Sequence, residues 1–250
     1  MPHAIVTGAA SGMGRLMVER LVKDGWSVAA VDLASPALEE LGTHTGVTIH
    51  PCDVRDLDQV RTCALATHGP EGKVDRLVTA AGIATIGTIG ELSPERFAET
   101  VRVNYIGTVA WVHELLPALR ESRGQIVLFA SLAGWMVTPH YGAYTASKFA
   151  LVGYGETLAM ELKGSGVRVR VVCPPAVRTP MLAGIIADGH DPKKVERSRP
   201  LRPERVINAI EKSLRRGRRR TWVFPGPAGI VWRIRRFTPG LVNVAARRLS

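Results

Sequence analysis

The stretch His3-Ala4-Ile5-Val6-Thr7-Gly8-Ala9-Ala10-Ser11-Gly12-Met13-Gly14 decides how the chain is read. Its first five residues form a short, mostly apolar run suited to a buried strand. After Gly14, residues Leu16, Met17, Arg20 and Leu21 recur at helical spacing. Strand, glycine turn and helix therefore follow in that order. Glycines at 8, 12 and 14 let the backbone turn sharply and come close to a ligand. A helix starting near Gly12 would aim its unpaired N–H groups at an anion, and a pyrophosphate fits that description. The spacing is Gly-x-x-x-Gly-x-Gly, so the common Gly-x-Gly-x-x-Gly fingerprint is not strictly matched, and a glycine-rich turn without a ligand stays open as the plain alternative.

Eighteen residues beyond Gly14, the run 27–31 ends at Asp32, where a second strand should finish beside the first. A carboxylate there can accept both ribose hydrogen bonds of an adenosine and would repel a 2′-phosphate, which favours NAD over NADP. Neither Ser11 nor Leu33 is basic, and Arg15 is the nearby cation that would argue the other way. Asp53, after the run 47–50, is placed to accept from an adenine amino group; the alternative is an N-cap for the helical segment from Asp56. Farther along, Tyr144 and Lys148 stand at i, i+4 in Gly-Ala-Tyr-Thr-Ala-Ser-Lys-Phe-Ala, with Ser131 thirteen positions before the tyrosine. One helix face then carries both side chains, so an ammonium can stabilise a phenolate and lower its pKa from about 10 toward working pH. Such a phenol is a usable acid and base. Ser131, closing the run 125–130, could donate to the same substrate oxygen. Tyr141 cannot replace Tyr144, because the residue four on is Thr145.

With these residues in order, the chain resembles the short-chain dehydrogenase/reductase family of the compact type, over roughly residues 3–225. The resemblance implies a Rossmann-type sheet of order 3-2-1-4-5-6-7 and a tetrad at Asn104, Ser131, Tyr144 and Lys148. Asn104 falls in a helical stretch expected from about 94 to 120, where the family uses it to hold a water for the lysine. The implied cofactor contacts are Gly8, Ser11, Gly12, Met13, Gly14, Asp32, Asp53, Val54, Gly82, Tyr144, Lys148, Val177 and Thr179. The last two would face the nicotinamide carboxamide, and Lys148 its ribose. Two departures stand out. Ala80, in Thr79-Ala80-Ala81-Gly82, replaces an asparagine whose side chain ties central strands together in the family. Pro175 replaces a glycine, and a fixed φ with no N–H sends that loop along another path.

At 250 residues and 46% hydrophobic, the chain can bury a substantial core. Alternating strand and helix patterns imply an α/β, doubly wound, parallel sheet with helices on both faces. Strands are expected near 3–7, 27–31, 47–50, 76–80, 125–130, 167–173 and 221–224. Residues 1–225 read as the NAD-binding catalytic domain and 226–250 as a basic amphipathic extension. Cys52, Cys63 and Cys173 lack metal-ligand spacing and suggest no disulfide framework, so no metal and a cytoplasmic setting are expected. Residues 1–3 run straight into a strand, which leaves no room for a signal peptide.

Charge is uneven. Residues 193–250 carry 17 lysines and arginines against three acidic residues, while residues 1–192 carry 16 against 19. Arg215, Arg216, Arg218, Arg219 and Arg220 cluster before the last strand. Beyond it, Ile230, Val231, Ile234 and Phe237 share one helical face, and Leu241, Val244, Ala245 and Leu249 another after Pro239-Gly240. Two short basic amphipathic helices result, suited to peripheral contact with an anionic membrane, to a neighbouring subunit or to covering the substrate cleft. They are too short to span a bilayer. Nucleic acid is a poor fit, since no groove-reading module is recognisable.

The expected activity is interconversion of a secondary alcohol and a ketone by hydride transfer, in a dimer or tetramer as the family commonly forms. Loops at 83–89, 132–141 and 181–189 bring Ile83, Ile86, Trp135, Met136, Val137, Met181, Leu182, Ile185 and Ile186 to the carboxyl ends of the strands. An apolar pocket for a steroid, retinoid-like or fatty substrate follows. Two other readings stay open: a non-catalytic NAD-binding sensor, and a membrane-recruited module acting through its tail.

Overall fold

The computed structural model describes residues 1–69, 72–187, 191–215 and 221–238. In chain order the elements begin with β1 (His3–Thr7), α1 (Gly12–Lys23), β2 (Ser27–Asp32), α2 (Pro36–Leu41), β3 (Val47–Pro51), α3 (Leu57–Ala66), β4 (Arg76–Thr79) and α4 (Pro94–Val101). A π-helical turn (Arg102–Ile106) leads into α5 (Gly107–Glu121), β5 (Gln125–Phe129), a 3-10 turn (Leu132–Gly134), α6 (Gly142–Glu161) and β6 (Arg168–Val172). The chain then forms α7 (Pro180–Ala187), α8 (Pro192–Arg197), α9 (Pro203–Arg215), β7 (Trp222–Val223) and α10 (Ala228–Phe237).

All seven expected strands are present, parallel and in the order β3-β2-β1-β4-β5-β6-β7. Each central strand is apolar on both faces because successive side chains point to opposite sides of the sheet. Ile5, Leu77, Ile126 and Leu128 join one buried cluster with Val60 of α3, Trp111 and Leu115 of α5 and Leu151 of α6. Ala4, Val6, Val78 and Val127 join the other with Met17 and Leu21 of α1, Leu38 of α2 and Ile207 and Ile210 of α9. The sheet is thus covered on both faces, as the alternation of elements requires.

Local chemistry sets several boundaries. Ser35 accepts from the Leu38 N–H and Pro36 opens α2. Asp56 caps α3, accepting from the Asp58 and Gln59 N–H groups, so the capping alternative considered for Asp53 is corrected to Asp56. The helical stretch expected from 94 to 120 is present without a break, α4 and α5 being joined through the π-helical turn. The first basic amphipathic helix is α10. The second, at 241–249, and the arginines at 216 and 218–220 lie outside the described residues.

One ion pair ties α9 to the sheet. Arg76 of β4 donates to Glu211 at 2.6 Å and to Gln125 Oε1 at 2.8 Å, and its guanidinium lies 4.5 Å from the Trp26 ring centroid. The two charged side chains are only 4% and 10% exposed. Burial lowers the Arg76 pKa, and Glu211 works against that shift. Removing one partner strands a buried charge, which costs more than the pair itself contributes. Glu211→Ala should therefore lose about 3–5 kcal/mol in urea unfolding, while Arg76→Met combined with Glu211→Leu should recover most of the loss.

Candidate active site

The glycine turn between β1 and α1 is built by contacts that only glycine permits. Gly8 has φ +68°, and a β-carbon there would lie 2.5 Å from the Ala81 nitrogen. A β-carbon on Gly14 would collide with the Gly8 carbonyl oxygen. Gly12 has φ +52°, and a β-carbon there would lie 3.7 Å from the Thr179 side chain, so the start of α1 meets the loop after β6. Ser11 precedes α1 with no side-chain cap, leaving the first-turn N–H groups, Met13 among them, without an intrahelical acceptor. A close-packed cradle with an uncapped helix N-terminus fits the pyrophosphate of a dinucleotide.

Asp32 Oδ2 accepts from the Ala10 N–H at 2.8 Å and Oδ1 from the Leu33 N–H at 2.7 Å, so the carboxylate also holds the turn. Arg15 is engaged by Glu40 at 2.8 Å and by Glu19 at 3.1 Å. Asp53 stands apart from this cradle in its contacts: Arg55 grips its carboxylate through Nε and Nη2, with 2.7 Å the shortest separation. The Arg55 hydrogen bond lowers its pKa. Val54 packs on the start of α5, where a β-carbon on Gly107 would come within 2.9 Å of its carbonyl oxygen.

Asn104, Ser131, Tyr144 and Lys148 converge at the carboxyl ends of β4 and β5. Lys148 is buried and donates to the Phe129 carbonyl at 2.8 Å, with Nζ 5.6 Å from the Tyr144 ring centroid. A β-carbon on Gly82 would sit 3.1 Å from Asn104 Oδ1 and 3.7 Å from Lys148 Nζ, so glycine leaves room where these groups meet. Asn104 Nδ2 donates to the Ile83 carbonyl at 3.0 Å and to Ser147 Oγ at 2.9 Å, while Oδ1 accepts from the Ile83 N–H at 2.8 Å. The side chain ties the loop after β4 to α6, and both amide hydrogens are used.

Burial lowers the Lys148 pKa to about 8. Burial raises that of Tyr144, opposed by a hydrogen bond with Ser131 and reinforced by Tyr141. The expected lowering of the Tyr144 pKa is thus corrected, desolvation outweighing the opposing contact with Ser131. Desolvation acts on both groups, and the lysine's hydrogen bond goes to the Phe129 carbonyl.

Ser147 is a site residue that spacing alone did not mark. It is fully buried and donates to the Tyr144 carbonyl at 2.7 Å while accepting from Asn104. Its only signal in the sequence is its place between Tyr144 and Lys148, next to the lysine. The strand tie lost at Ala80 is made from β1 instead: the Ala80 N–H donates to the Thr7 carbonyl at 3.2 Å and the Ala81 N–H to Thr7 Oγ1 at 3.3 Å. In the loop carrying Pro175, Leu132 donates to the Pro174 carbonyl, and Val177 bridges Leu201. Thr179 Oγ1 donates to the Val177 carbonyl at 3.3 Å. Among the expected pocket residues, Trp135 instead packs with Trp222, Phe224 and Trp232 and donates to Cys173 Sγ at 3.3 Å. Val137 and Met181 are exposed, at 45% and 38%, and Ile185 is buried.

Fold and site together define the class, a Rossmann-type oxidoreductase dependent on a nicotinamide nucleotide. The family model described as short chain dehydrogenase matches residues 2–189, and the chain belongs to that family. It is 32% identical over 218 residues to oxidoreductase UcpA of Salmonella typhimurium, covering 84% of this chain and 79% of that one. It is 36% identical over 185 residues to D-threitol dehydrogenase of Mycolicibacterium smegmatis, covering 70% of each. A short chain dehydrogenase/reductase from Burkholderia phymatum, solved in complex with NAD, superposes with a TM-score of 0.84 at 26% identity, covering 96% of this chain and 94% of that one.

The Lys148 shift has a consequence for stability. Below about 8 both folded and unfolded chains hold the proton; between about 8 and the ordinary 10.5 only the unfolded chain does. Stability should therefore rise with pH across that window, by at most about 3 kcal/mol from this group. Chemical denaturation of wild type and Lys148→Met at a series of pH values checks this, the variant lacking the rise.

Proposed function

We propose that the protein interconverts a lipophilic secondary alcohol and its ketone, of steroid, retinoid-like or fatty type, with NAD(H). The observation that carries the reading is the Tyr144 phenol beside Ser131 and one helical turn from Lys148, which is buried and held by the Phe129 carbonyl. A bound nicotinamide supplies or accepts the hydride. Tyr144 gives its proton to the ketone oxygen in reduction and takes it from the alcohol in oxidation, and Ser131 orients that oxygen. Lys148 holds the nicotinamide ribose and tunes the phenol once the site is filled. Asn104, through Ile83 and Ser147, positions the loop and helix on either side.

NAD is favoured by Asp32 at the end of β2 and by the engagement of Arg15 with two glutamates, which leaves a 2′-phosphate facing a carboxylate. The lipophilic class is supported by Ile89 and Val137 on the first two loops and by Met181, which the structure places in α7, all large exposed apolar side chains. A polyol such as the threitol in the relative's name needs extra hydrogen-bonding groups. Thr85, one polar side chain on these loops, is spent on Thr100 at 2.6 Å.

A turnover screen of lipophilic and polyol substrates with NAD(H) and NADP(H) in parallel tests the reading. Lipophilic substrates with NAD(H) should dominate, and Tyr144→Phe should lower kcat/KM by about 10²–10⁴ while NADH still binds. Unchanged turnover in that variant would sink the mechanism, and a preference for NADP(H) would refute the role of Asp32.

A further inference from the structure

Helix α10 is attached to the domain by one side. Trp232 packs against Trp135, Trp222 and Phe224, with ring centroids 5.9, 5.2 and 5.3 Å away, and Ala228 is fully buried. Ile230, Ile234 and Phe237 lie at i, i+4 and i+7, so they form one stripe turned away from Trp232. They are 63%, 48% and 79% exposed. Arg233, next to the stripe on the helical wheel, is exposed, and the Arg236 guanidinium lies 5.7 Å from the Trp232 ring centroid. Residues 221–250 contain five arginines and no acidic residue.

We propose that α10 is a peripheral docking face for an anionic lipid surface, its apolar stripe entering the boundary between headgroups and acyl chains while the arginines meet lipid anions. Charge selects this occupant. A second copy docking through the stripe by a two-fold axis would bring the two Arg233 side chains toward each other, with no acidic residue in 221–250 to pair them. A nucleic acid would satisfy the arginines but leave Ile230, Ile234 and Phe237 in water. No helix among the described residues is long and apolar enough to cross a bilayer. With ten residues, α10 is about 15 Å long and suited to lying along the surface. The inference does not depend on the substrate, although Trp232 touches Trp135, the residue that ends the 3-10 turn after Ser131.

Flotation of the full chain with vesicles of phosphatidylcholine alone, and of phosphatidylcholine mixed with phosphatidylglycerol, provides the test. The protein should float with the anionic vesicles, stay behind with the neutral ones, and be released by added salt. Ile234→Asp combined with Phe237→Asp should reduce the bound fraction roughly tenfold, with circular dichroism and thermal midpoint unchanged because both side chains face solvent. Arg233→Glu should weaken binding in low salt. Three results would overturn the proposal: no flotation of wild type with anionic vesicles, equal flotation of the aspartate variant, or a stripe variant that dissociates an oligomer in sedimentation velocity without affecting vesicle binding.

Discussion

The site is organised around one buried ammonium. Taking Lys148 out of water is costly, and the Phe129 carbonyl at the end of β5 accepts its hydrogen bond. That bond fixes how α6 lies on the sheet, and two glycines make the approach possible. A β-carbon on Gly155 would collide with Val171 of β6, and one on Gly134 would lie 2.6 Å from the Lys148 carbonyl. Because the 3-10 turn rests on the Lys148 backbone, Ser131 is carried to the Tyr144 phenol. The contacts Ser131–Tyr144 and Lys148–Phe129 are therefore two consequences of one packing arrangement.

The same junction explains the π-helical turn. One extra residue between α4 and α5 lets Asn104 bond both backbone groups of Ile83 and the Ser147 hydroxyl. A loop following a strand would otherwise leave those groups to solvent. Here it is clamped next to Gly82, where a β-carbon would come 3.1 Å from Asn104 Oδ1. The π-helical turn thus brings Asn104 to the loop it holds, and such turns are frequent at functional sites.

Burial also changes what the Tyr144–Lys148 pair can do unaided. With Lys148 lowered to about 8 and Tyr144 raised above its ordinary value, the lysine gives up its proton before the phenol does. Burial thus works against the charged form of each group.

Periodicity made the sheet legible, since runs such as 3–7 and 125–130 are apolar on both faces, and the positions of Gly8, Gly12 and Gly14 announced a close approach. The i, i+4 spacing placed Tyr144 and Lys148 on one helix. What stayed hidden depends on distant contacts: Arg15 with Glu40, Thr7 standing in for the asparagine missing at Ala80, Trp135 turned into an aromatic cluster. The sign of the Tyr144 shift was hidden for the same reason, because burial is not a local property. Ultraviolet difference titration of wild type against Tyr144→Phe, in the free protein and with saturating NAD, reaches that sign directly. The account predicts tyrosinate formation above pH 10 in the free protein and a lower midpoint with the site filled; one common midpoint below 10 in both states would contradict it.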